Sequence, residues 1–430
     1  MRPPRPLPAL LAFVLLAAAA LALPVGGPAP LPNAVPEALT GGFAPLPLIA
    51  LPAPTALAFG PGEGDGPDLY ATTLETGVLR VSLTWTPAGP VASGVAQFAT
   101  GFSQPLGLIF DGVALYVSDS HPGAESGRTD GRITRIDSAG AKVVVDGLPN
   151  GRHNTNHFRF GPDDRLYVSN GNPNDNGIDG GEVDVLPLSG AILSFVPSEV
   201  GASPAILHWK DAQGNPIPAN DIASAPVNAD FAAKVHVFAS GFRNVYGIAF
   251  HGGFGYTGMN GADVPSSQDA LFKLSAGQNF SYPFCFNEGV PAAVGAGISV
   301  VPNPTFAEAA LCAHTPAATA LLGWHTCATG LDFPTDGPWH FPAAMKDSVF
   351  VGECGPFNPD QEYVKFASTH NTGHKVVRVP LDAHGEATAV QDFLDGMPLA
   401  TDVLFGPDGA MYVAHAGGVV RVVSLTAPLG

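Results

Sequence analysis

Basic residues are scarce in this sequence. It has 19 Lys and Arg against 37 Asp and Glu, which gives a formal net charge of -18. Nucleic acid and anionic membranes are bound by basic surfaces, so the composition argues against both as partners. Charged residues make up only 13% of the chain, whereas Gly occurs 52 times and Pro 43 times. Because Gly and Pro disfavour helices and favour turns, the composition favours an all-β chain with many short connections.

Long apolar runs are absent apart from one at the N-terminus. Residues 10–21 are rich in Leu and Ala, follow Arg2 and Arg5, and lead into a small-x-small cleavage site. This pattern predicts a signal peptide over residues 1–22 and a secreted or periplasmic protein. A membrane anchor is the alternative, but the run is short for a span and no basic stop follows it. The Pro-rich residues 23–54 then form a tether or an extended entry strand, and no membrane span is expected in the mature protein.

Cysteine is also rare, and the four cysteines are clustered. They are Cys285, Cys312, Cys327 and Cys354. An even, clustered count in an exported protein predicts two disulfides, for which three pairings are possible. We favour Cys285 with Cys312 and Cys327 with Cys354. A zinc site is the alternative, which the absence of any CxxC spacing disfavours.

An internal repeat is the most informative feature that is present. Each copy has an apolar pair, a Phe, a tight turn and then a second strand of apolar and aromatic residues. The copies alternate apolar and polar residues around Gly, Pro or Asp, as β-hairpins do. The six copies begin at Leu57, Leu108, Phe158, Ile248, Leu331 and Val403.

A second motif, a short apolar strand, follows each copy of the first. The six stretches are 77–81, 131–136, 190–195, 269–274, 374–379 and 418–422. Six ordered pairs, each with room for about four short strands, are typical of radial repetition. The sequence therefore predicts an all-β, six-bladed β-propeller that forms a single domain over residues 55–426. Longer gaps at 198–230 and 289–320 predict insertions, which on a rigid scaffold usually gather at the functional face.

Two stretches place polar residues immediately before a predicted inner strand, where a propeller's central channel opens. One stretch contains His153, and the other contains Arg243 followed by Asn244. A His can act as a general base near neutral pH, and an Arg can stabilise negative charge that develops on oxygen. By themselves, the same residues also fit a His that caps a turn and an Arg that bonds loop carbonyls. A nearby acidic run predicts either calcium ligation or a solvated loop. Its members are Asp175, Asp179, Glu182 and Asp184.

These and later stretches resemble the soluble quinoprotein glucose/sorbosone dehydrogenase family. Residues 153–163 match the family's His followed by an apolar strand and a Gly/Ser-Pro-Asp turn, and residues 241–250 match its Gly-x-Arg-Asn segment. Residues 349–355 resemble its Phe-Val-Ala-Glu-His-Gly strand, and residues 374–380 resemble its Tyr-Lys-Val-Val-Arg-Val-Pro strand. The resemblance runs in one order from about residue 104 to residue 423. It implies a six-bladed propeller that oxidises sugars with pyrroloquinoline quinone (PQQ) and calcium.

The resemblance also implies a role for each matching residue. His153 would take the proton from a sugar hydroxyl as hydride passes to the quinone, and Arg243 would polarise the quinone carbonyl. An external acceptor would then take the electrons. The implied cofactor-binding positions are Arg243, Asn244, Asn260 and Gln104. The implied calcium-binding positions are the carbonyls of Gly261 and Ala262 together with Asp263.

The sequence departs from the family in its charged positions. Arg152 precedes the expected base, where the glucose enzymes have a carboxylate. Residues 356–359 and 399–401 lack the family's basic residues, which leaves Lys365 and Lys375 as further cations. Because three cofactor carboxylates need charge-assisted donors, two other functions stay open. One is a propeller without cofactor that binds carbohydrate or protein, and the other is a calcium-dependent lactonase.

Overall fold

Six antiparallel sheets form the body of the protein in a computed structural model. The structure describes residues 37–38, 41–123, 125–126, 128–175, 177–179, 182–183, 185–211, 213–215, 217, 226–263, 267–306, 308–355 and 373–425. We call the sheets blades 1 to 6 and give their strands from the innermost to the outermost. Blade 1 has Pro54–Gly60, Asp68–Thr73, Gly77–Thr86 and Gly89–Ala99; blade 2 has Gly107–Phe110, Leu115–Pro122, Thr129–Asp137 and Gly140–Pro149; blade 3 has Thr155–Phe160, Leu166–Asn170, Ala191–Phe195 and His236–Ser240. Blade 4 has Asn244–His251, Phe254–Asn260, Asp269–Leu274 and Ala320–Gly323; blade 5 has Ala328–Asp332, Ser348–Glu353, Lys375–Pro380 and Gln391–Asp395; blade 6 has Asp402–Phe405, Met411–His415, Gly418–Ser424 and Phe43–Ile49.

The sequence repeat coincides with the blades. Each copy of the first motif supplies the first and second strands of one blade, and each copy of the second motif supplies its third strand. The first strands of successive blades contact one another around the ring. Alternating apolar residues from facing blades form the core between them, for example around Phe341, Phe350, Phe393 and Phe405. The prediction of a six-bladed β-propeller is therefore confirmed.

Blade 6 closes the ring with an N-terminal strand. Phe43–Ile49 pairs antiparallel with Gly418–Ser424, so a strand from the N-terminal part of the chain and the last strand meet in one sheet. This strand lies before residue 55, where the sequence places the start of the propeller. Part of the Pro-rich segment is thus an extended strand of the last blade.

Three blades carry a short fifth strand. Ala205–Ile206 pairs with the outer strand of blade 2, Gln278–Asn279 with that of blade 3, and Glu37–Ala38 with that of blade 5. Two hairpins lie outside the blades, Ile178–Asp179 with Glu182–Val183 and Cys285–Glu288 with Ser299–Pro302. The helices are short: Pro197–Ala202, Ala229–Lys234, Ala309–Cys312 and the 3-10 turns Gly295–Gly297 and Ala343–Met345. Among the described residues, no helix has the length and apolarity needed to cross a membrane.

The cysteines form both of the favoured pairs. Cys285 is bonded to Cys312 and Cys327 to Cys354, with Cα atoms 5.6 and 5.0 Å apart. The first disulfide lies in the insertion between the third and fourth strands of blade 4. The second joins the start of the inner strand of blade 5 to the end of its second strand.

Candidate functional site

The two predicted segments meet at one end of the channel, between blades 3 and 4. In an antiparallel hairpin, the start of the first strand lies beside the end of the second strand. Thr155 pairs with Asn170, and Asn244 pairs with Asn260. The residues just outside these pairs therefore share one end of the propeller. They comprise 151–154, 171–175, 241–243 and 261–263, and we call them the entry cluster.

His153 is buried in this cluster with a defined orientation. Its Nδ1 lies 2.5 Å from the backbone carbonyl of Asn172, so Nδ1 carries the proton and donates it. Among the described residues, Nε2 has no hydrogen-bond partner and is available as a base. A Cβ atom at Gly171 would lie 2.5 Å from the Cβ of His153, so a glycine is needed for the ring to sit here. Burial, followed by the charges of Arg243 and Arg152, lowers the pKa of His153 well below its ordinary value.

Arg243 is buried and holds the two blades together electrostatically. Its Nε donates to the carbonyl of Asp175 at 2.8 Å and to Asp175 Oδ1 at 3.1 Å, and Nη1 donates to the carbonyl of Asn260 at 3.2 Å. Nη2 donates to Asp175 Oδ1 and, at 3.2 Å, to Asp263 Oδ1. Burial alone would lower the pKa of this guanidinium, but Asp175 and Asp263 raise it above its ordinary value. One of the five N–H groups, on Nη1, has no partner among the described residues.

Arg152 adds a second guanidinium to the same carboxylates. Its Nη2 donates to Asp263 Oδ2, and its Nη1 lies 3.8 Å from Asp175 Oδ2. Asp175 also accepts a hydrogen bond from the hydroxyl of Tyr282 at its backbone carbonyl. Burial by itself would raise the pKa of Asp175, but Arg243 and Arg152 lower it below its ordinary value. Two guanidinium groups and two carboxylates therefore form one network with balanced charge.

Asparagine amides surround the network. Asn244 Oδ1 accepts a hydrogen bond from Asn156 Nδ2 at 3.3 Å. Three further amide atoms are buried and have no hydrogen-bond partner among the described residues. They are Asn154 Nδ2, Asn172 Nδ2 and Asn260 Oδ1. Unpaired buried polar atoms are rare in folded proteins, and these point to a polar ligand with both donors and acceptors.

The loop predicted to bind calcium has its backbone amides turned into the protein. Gly261 N donates to Asp269 Oδ1 at 2.8 Å, and Ala262 N donates to Ser267 Oγ at 2.8 Å. The carbonyls of Gly261 and Ala262 accept no hydrogen bond from a described residue. The side chain of Asp263 is held by Arg152 and Arg243. In the part of the chain that the structure describes, no three His, Cys, Asp or Glu residues converge on a point where a metal ion could bind.

Other predicted residues lie apart from the cluster or outside the described residues. Gln104 precedes the inner strand of blade 2 at the same end of the propeller, half-buried with φ of 53°, and no hydrogen bond joins its side chain to a described residue. Lys375 donates to Asp392 at 2.5 Å in blade 5. The side chains of Asp179 and Glu182, and residues Asp184 and Lys365, lie outside what the structure describes.

Three residues of the cluster, and Tyr282 beside it, were not assigned a role in it by the sequence. Asn154 and Asn172 supply unpaired amides, Tyr282 bonds the carbonyl of Asp175, and Asp175 binds Arg243. Asp175 is identified from the sequence only as a calcium candidate, whereas its contacts are with arginine. The sequence did carry a signal for Asn154 and Asn172. Both lie just beyond the end of the predicted hairpin of blade 3, close to the predicted base His153.

The channel is filled below the cluster. His157 of blade 3 reaches across the ring, with Nε2 3.2 Å from the carbonyl of Thr55 in blade 1 and Nδ1 3.5 Å from Asp402 Oδ1 in blade 6. Its ring also packs on Tyr246 with centroids 4.6 Å apart. A separate cavity of about 310 Å³ lies beyond this plug, lined by Phe59, Phe110, Arg159 and Phe405 among others. That cavity is at the opposite end of the propeller and shares no residue with the entry cluster.

Comparisons with known proteins bear on the fold. No protein-family model matches the chain, and no curated protein matches it. A calcium structure of a Trichoderma reesei protein of carbohydrate-active enzymes family AA12 is 15% identical, with a TM-score of 0.65 over 93% of this chain and 99% of that one. The apo-form of the soluble aldose sugar dehydrogenase from Escherichia coli is 17% identical, with a TM-score of 0.57 over 89% and 99%. A structure named glucose dehydrogenase is 17% identical, with a TM-score of 0.53 over 89% and 99%. The chain therefore shares its fold with proteins that carry these names.

Proposed function

We propose that this protein is an exported, PQQ-dependent dehydrogenase that oxidises a hydroxyl or aldehyde group of a sugar. The observation that carries the proposal is the pairing of a buried, neutral His153 with a buried Arg243 at the channel entry. Asn172 fixes the proton on Nδ1 of the histidine and so leaves Nε2 as the acceptor. The sequence resemblance to sugar dehydrogenases, and the fold shared with proteins of that name, support the same reaction class.

The residues present fit a polar, anionic cofactor through hydrogen-bond donors. Asn154 Nδ2 and Asn172 Nδ2 are buried donors without acceptors, and Asn260 Oδ1 is a buried acceptor without a donor. Arg243 keeps one N–H for a ligand oxygen, and Arg152 has a half-buried guanidinium. A ligand that satisfied these atoms would remove a cost of about 1–3 kcal/mol for each unpaired group.

His153 and Arg243 supply the acid-base and electrostatic parts of the reaction. His153 Nε2 accepts the proton of the substrate hydroxyl, and the Asn172 carbonyl stabilises the imidazolium by accepting from Nδ1. When bound, PQQ would supply the hydride acceptor of the oxidation. The remaining N–H of Arg243 lies where it can stabilise negative charge on a ligand oxygen. The plug at His157 closes the channel, so substrate enters and product leaves on the cluster side.

Export and an external electron acceptor complete the proposal. The N-terminal sequence predicts a signal peptide, and two disulfides suit an oxidising compartment. Electrons taken from the sugar leave through an acceptor outside the described chain.

A carbohydrate-binding propeller without cofactor is the second candidate. The balanced charge of the network favours it, because the arginines that would meet an anionic cofactor are already paired with Asp175 and Asp263. A lactonase would need carboxylates converging on a cation, and the described residues contain no such group.

Cofactor binding and turnover, measured on the same samples, test the proposal. The mature protein is titrated with PQQ and followed by visible absorbance, and dye reduction is then assayed across a panel of aldoses. We expect saturable binding and reduction, with His153→Ala losing at least about 100-fold in kcat and retaining PQQ affinity. His251→Ala, on the surface beside Asp347, is the matched control and should leave both unchanged. A folded protein that binds aldoses but neither binds PQQ nor reduces dye would establish the binding module instead.

A further inference from the structure

Asp263, whose carboxylate is predicted to bind calcium, already forms ion pairs with two arginines. Asp263 Oδ2 accepts from Arg152 and Asp263 Oδ1 accepts from Arg243, so both oxygens face guanidinium groups. Asp175 has the same arrangement, with Oδ1 on Arg243 and Oδ2 3.8 Å from Arg152. Calcium takes six to eight oxygen ligands, and its affinity rises with the number of charged ones. Neither carboxylate is free to act as such a ligand.

The position of Arg152 is set by the fold. Its backbone N–H donates to the carbonyl of Pro173 at 2.6 Å, which ties it to the loop after the second strand of blade 3. From there its side chain spans to Asp263 in blade 4, directly after the carbonyls of Gly261 and Ala262. A positive charge is therefore held beside the loop that the family resemblance assigns to the metal. In the resembled glucose enzymes, the position before the base carries a carboxylate.

The remaining predicted ligands do not suit a cation. Among the described residues they are the two uncharged carbonyls of Gly261 and Ala262, and the four charged groups of the network sum to zero. A divalent ion placed beside them would meet two guanidinium groups as well as two carboxylates, so the network offers it no net attraction. Calcium therefore does not fit the residues present.

We propose that the guanidinium of Arg152, bound to Asp263, takes the place of the calcium ion that the family resemblance implies, so that this protein works without a metal ion at the entry cluster. The inference has two tests, one of calcium binding and one of activity, and only the activity test (the activity arm) rests on the proposed function. The calcium-binding test (the metal-binding arm) measures a property of the protein by itself and needs neither cofactor nor substrate.

Calorimetric titration with calcium chloride tests the metal-binding arm. We expect the quinone-free protein to give no saturable heat up to about 1 mM calcium, the weak end of extracellular calcium sites. Arg152→Asp releases Asp263 and adds a carboxylate, so it should gain saturable calcium binding at least about tenfold tighter than that limit. Arg152→Gln changes the charge by one and should fall between the two proteins. Arg378→Gln in blade 5, which bonds Ser348 and the carbonyl of Ala344, is the control and should bind no calcium.

Chelation tests the activity arm. PQQ absorbance and dye reduction of the native protein are compared in EDTA and in calcium, and we expect no difference between them. Arg152→Asp should become calcium-dependent in the same two measurements. Saturable calcium binding by the native protein, or loss of PQQ binding in EDTA with recovery in calcium, would overturn the inference. If the native protein binds no PQQ under either condition, the proposed function fails, while the calorimetric result still decides whether the entry cluster excludes calcium.

Discussion

At the scale of single residues, His153 owes its chemistry to its neighbours. Burial and the two guanidinium groups lower its pKa, whereas the Asn172 carbonyl and the charge of Asp175 act in the opposite direction. A histidine with a lowered pKa stays neutral, and so stays a base, as the pH falls below the ordinary value of about 6.5. The surrounding charges therefore set the pH range in which this residue can accept a proton.

The pH dependence of turnover should follow this electrostatic balance. We expect the acid limb of kcat/KM for the native protein to lie below about pH 6.5. Arg152→Gln removes a positive charge and should move the limb to higher pH, and Asp175→Asn should move it to lower pH. Steady-state rates measured from acidic to neutral pH check the prediction. Shifts of both variants in the same direction would show that structural damage dominates.

His157 and Asp402 form a buried pair in the channel. Their protonation equilibria make the stability depend on pH in opposite directions. Burial lowers the pKa of His157 to about 3 and raises that of Asp402 to about 7. Between roughly pH 4 and 6.5, His157 is neutral in the folded protein but protonated in the unfolded chain. Over the same pH range, Asp402 is protonated in the folded protein but ionised in the unfolded chain. The two contributions cancel, so the pair adds little pH dependence to the native stability.

Asp402→Asn should expose the histidine contribution. The amide can still accept from Leu57 N but cannot titrate, so the free energy of unfolding should fall by up to about 1.4 kcal/mol per pH unit below pH 6.5. Denaturant unfolding at pH 6.5 and 4.5 measures the slope in native and variant proteins. Asp230→Asn on the surface should leave the native slope unchanged. An equal slope for Asp402→Asn and the native protein would contradict the proposed neutral pair.

At the scale of elements, the insertion of blade 4 supports the entry cluster. Gln278–Asn279 pairs with the outer strand of blade 3, and the chain then brings Tyr282 to the carbonyl of Asp175. The Cys285–Cys312 disulfide follows directly and closes a loop with a sequence separation of 27. The insertion therefore links a covalent constraint to the loop that holds Arg243.

Replacing both Cys285 and Cys312 by Ser should destabilise the protein by about 3–4 kcal/mol, the loop-closure value for this separation. Under the proposed function, PQQ affinity should also fall, and by more than the kcat of the fully loaded protein, because Tyr282 would lose its constraint. Thermal unfolding and PQQ titration measure the two effects. Unchanged PQQ affinity despite the lower stability would show that the insertion serves the fold alone.

At the scale of the whole molecule, the ring depends on one N-terminal strand. Phe43–Ile49 is the fourth strand of blade 6, and its removal would expose the edge of Gly418–Ser424. A chain that begins at residue 51 should therefore unfold at a lower temperature and aggregate, whereas one that begins at residue 41 should retain the native transition. Circular dichroism melts and size-exclusion profiles of the two truncations check this. Equal stability would mean that three strands suffice for blade 6.

Much of the architecture is predictable because its signals are local. Period-two alternation around turn residues places the first three strands of all six blades. The cysteine cluster predicts two disulfides, and of the three possible pairings the favoured one forms. His153 and Arg243 could be assigned to one end of the channel because each precedes an inner strand. Pro45 and Pro47 left Phe43–Ile49 open as either a tether or an extended entry strand, and only the structure shows that it pairs with Gly418–Ser424. An outer strand tolerates proline because one of its edges has no hydrogen-bond partners.

By itself the sequence determined the all-β repeat, the number of blades and the placement of His153 and Arg243 at one end of the ring. These follow from hydrophobic patterns that extend over a few residues and repeat. Only the tertiary structure decided that Asp175 and Asp263 bind arginine, and that His157 closes the channel from blade 3 to blade 6. The pairs Arg243–Asp175, Arg152–Asp263 and His157–Asp402 join residues that are 68, 111 and 245 positions apart in the chain. Which charges meet depends on how the blades bring loop ends together, and no local pattern records that.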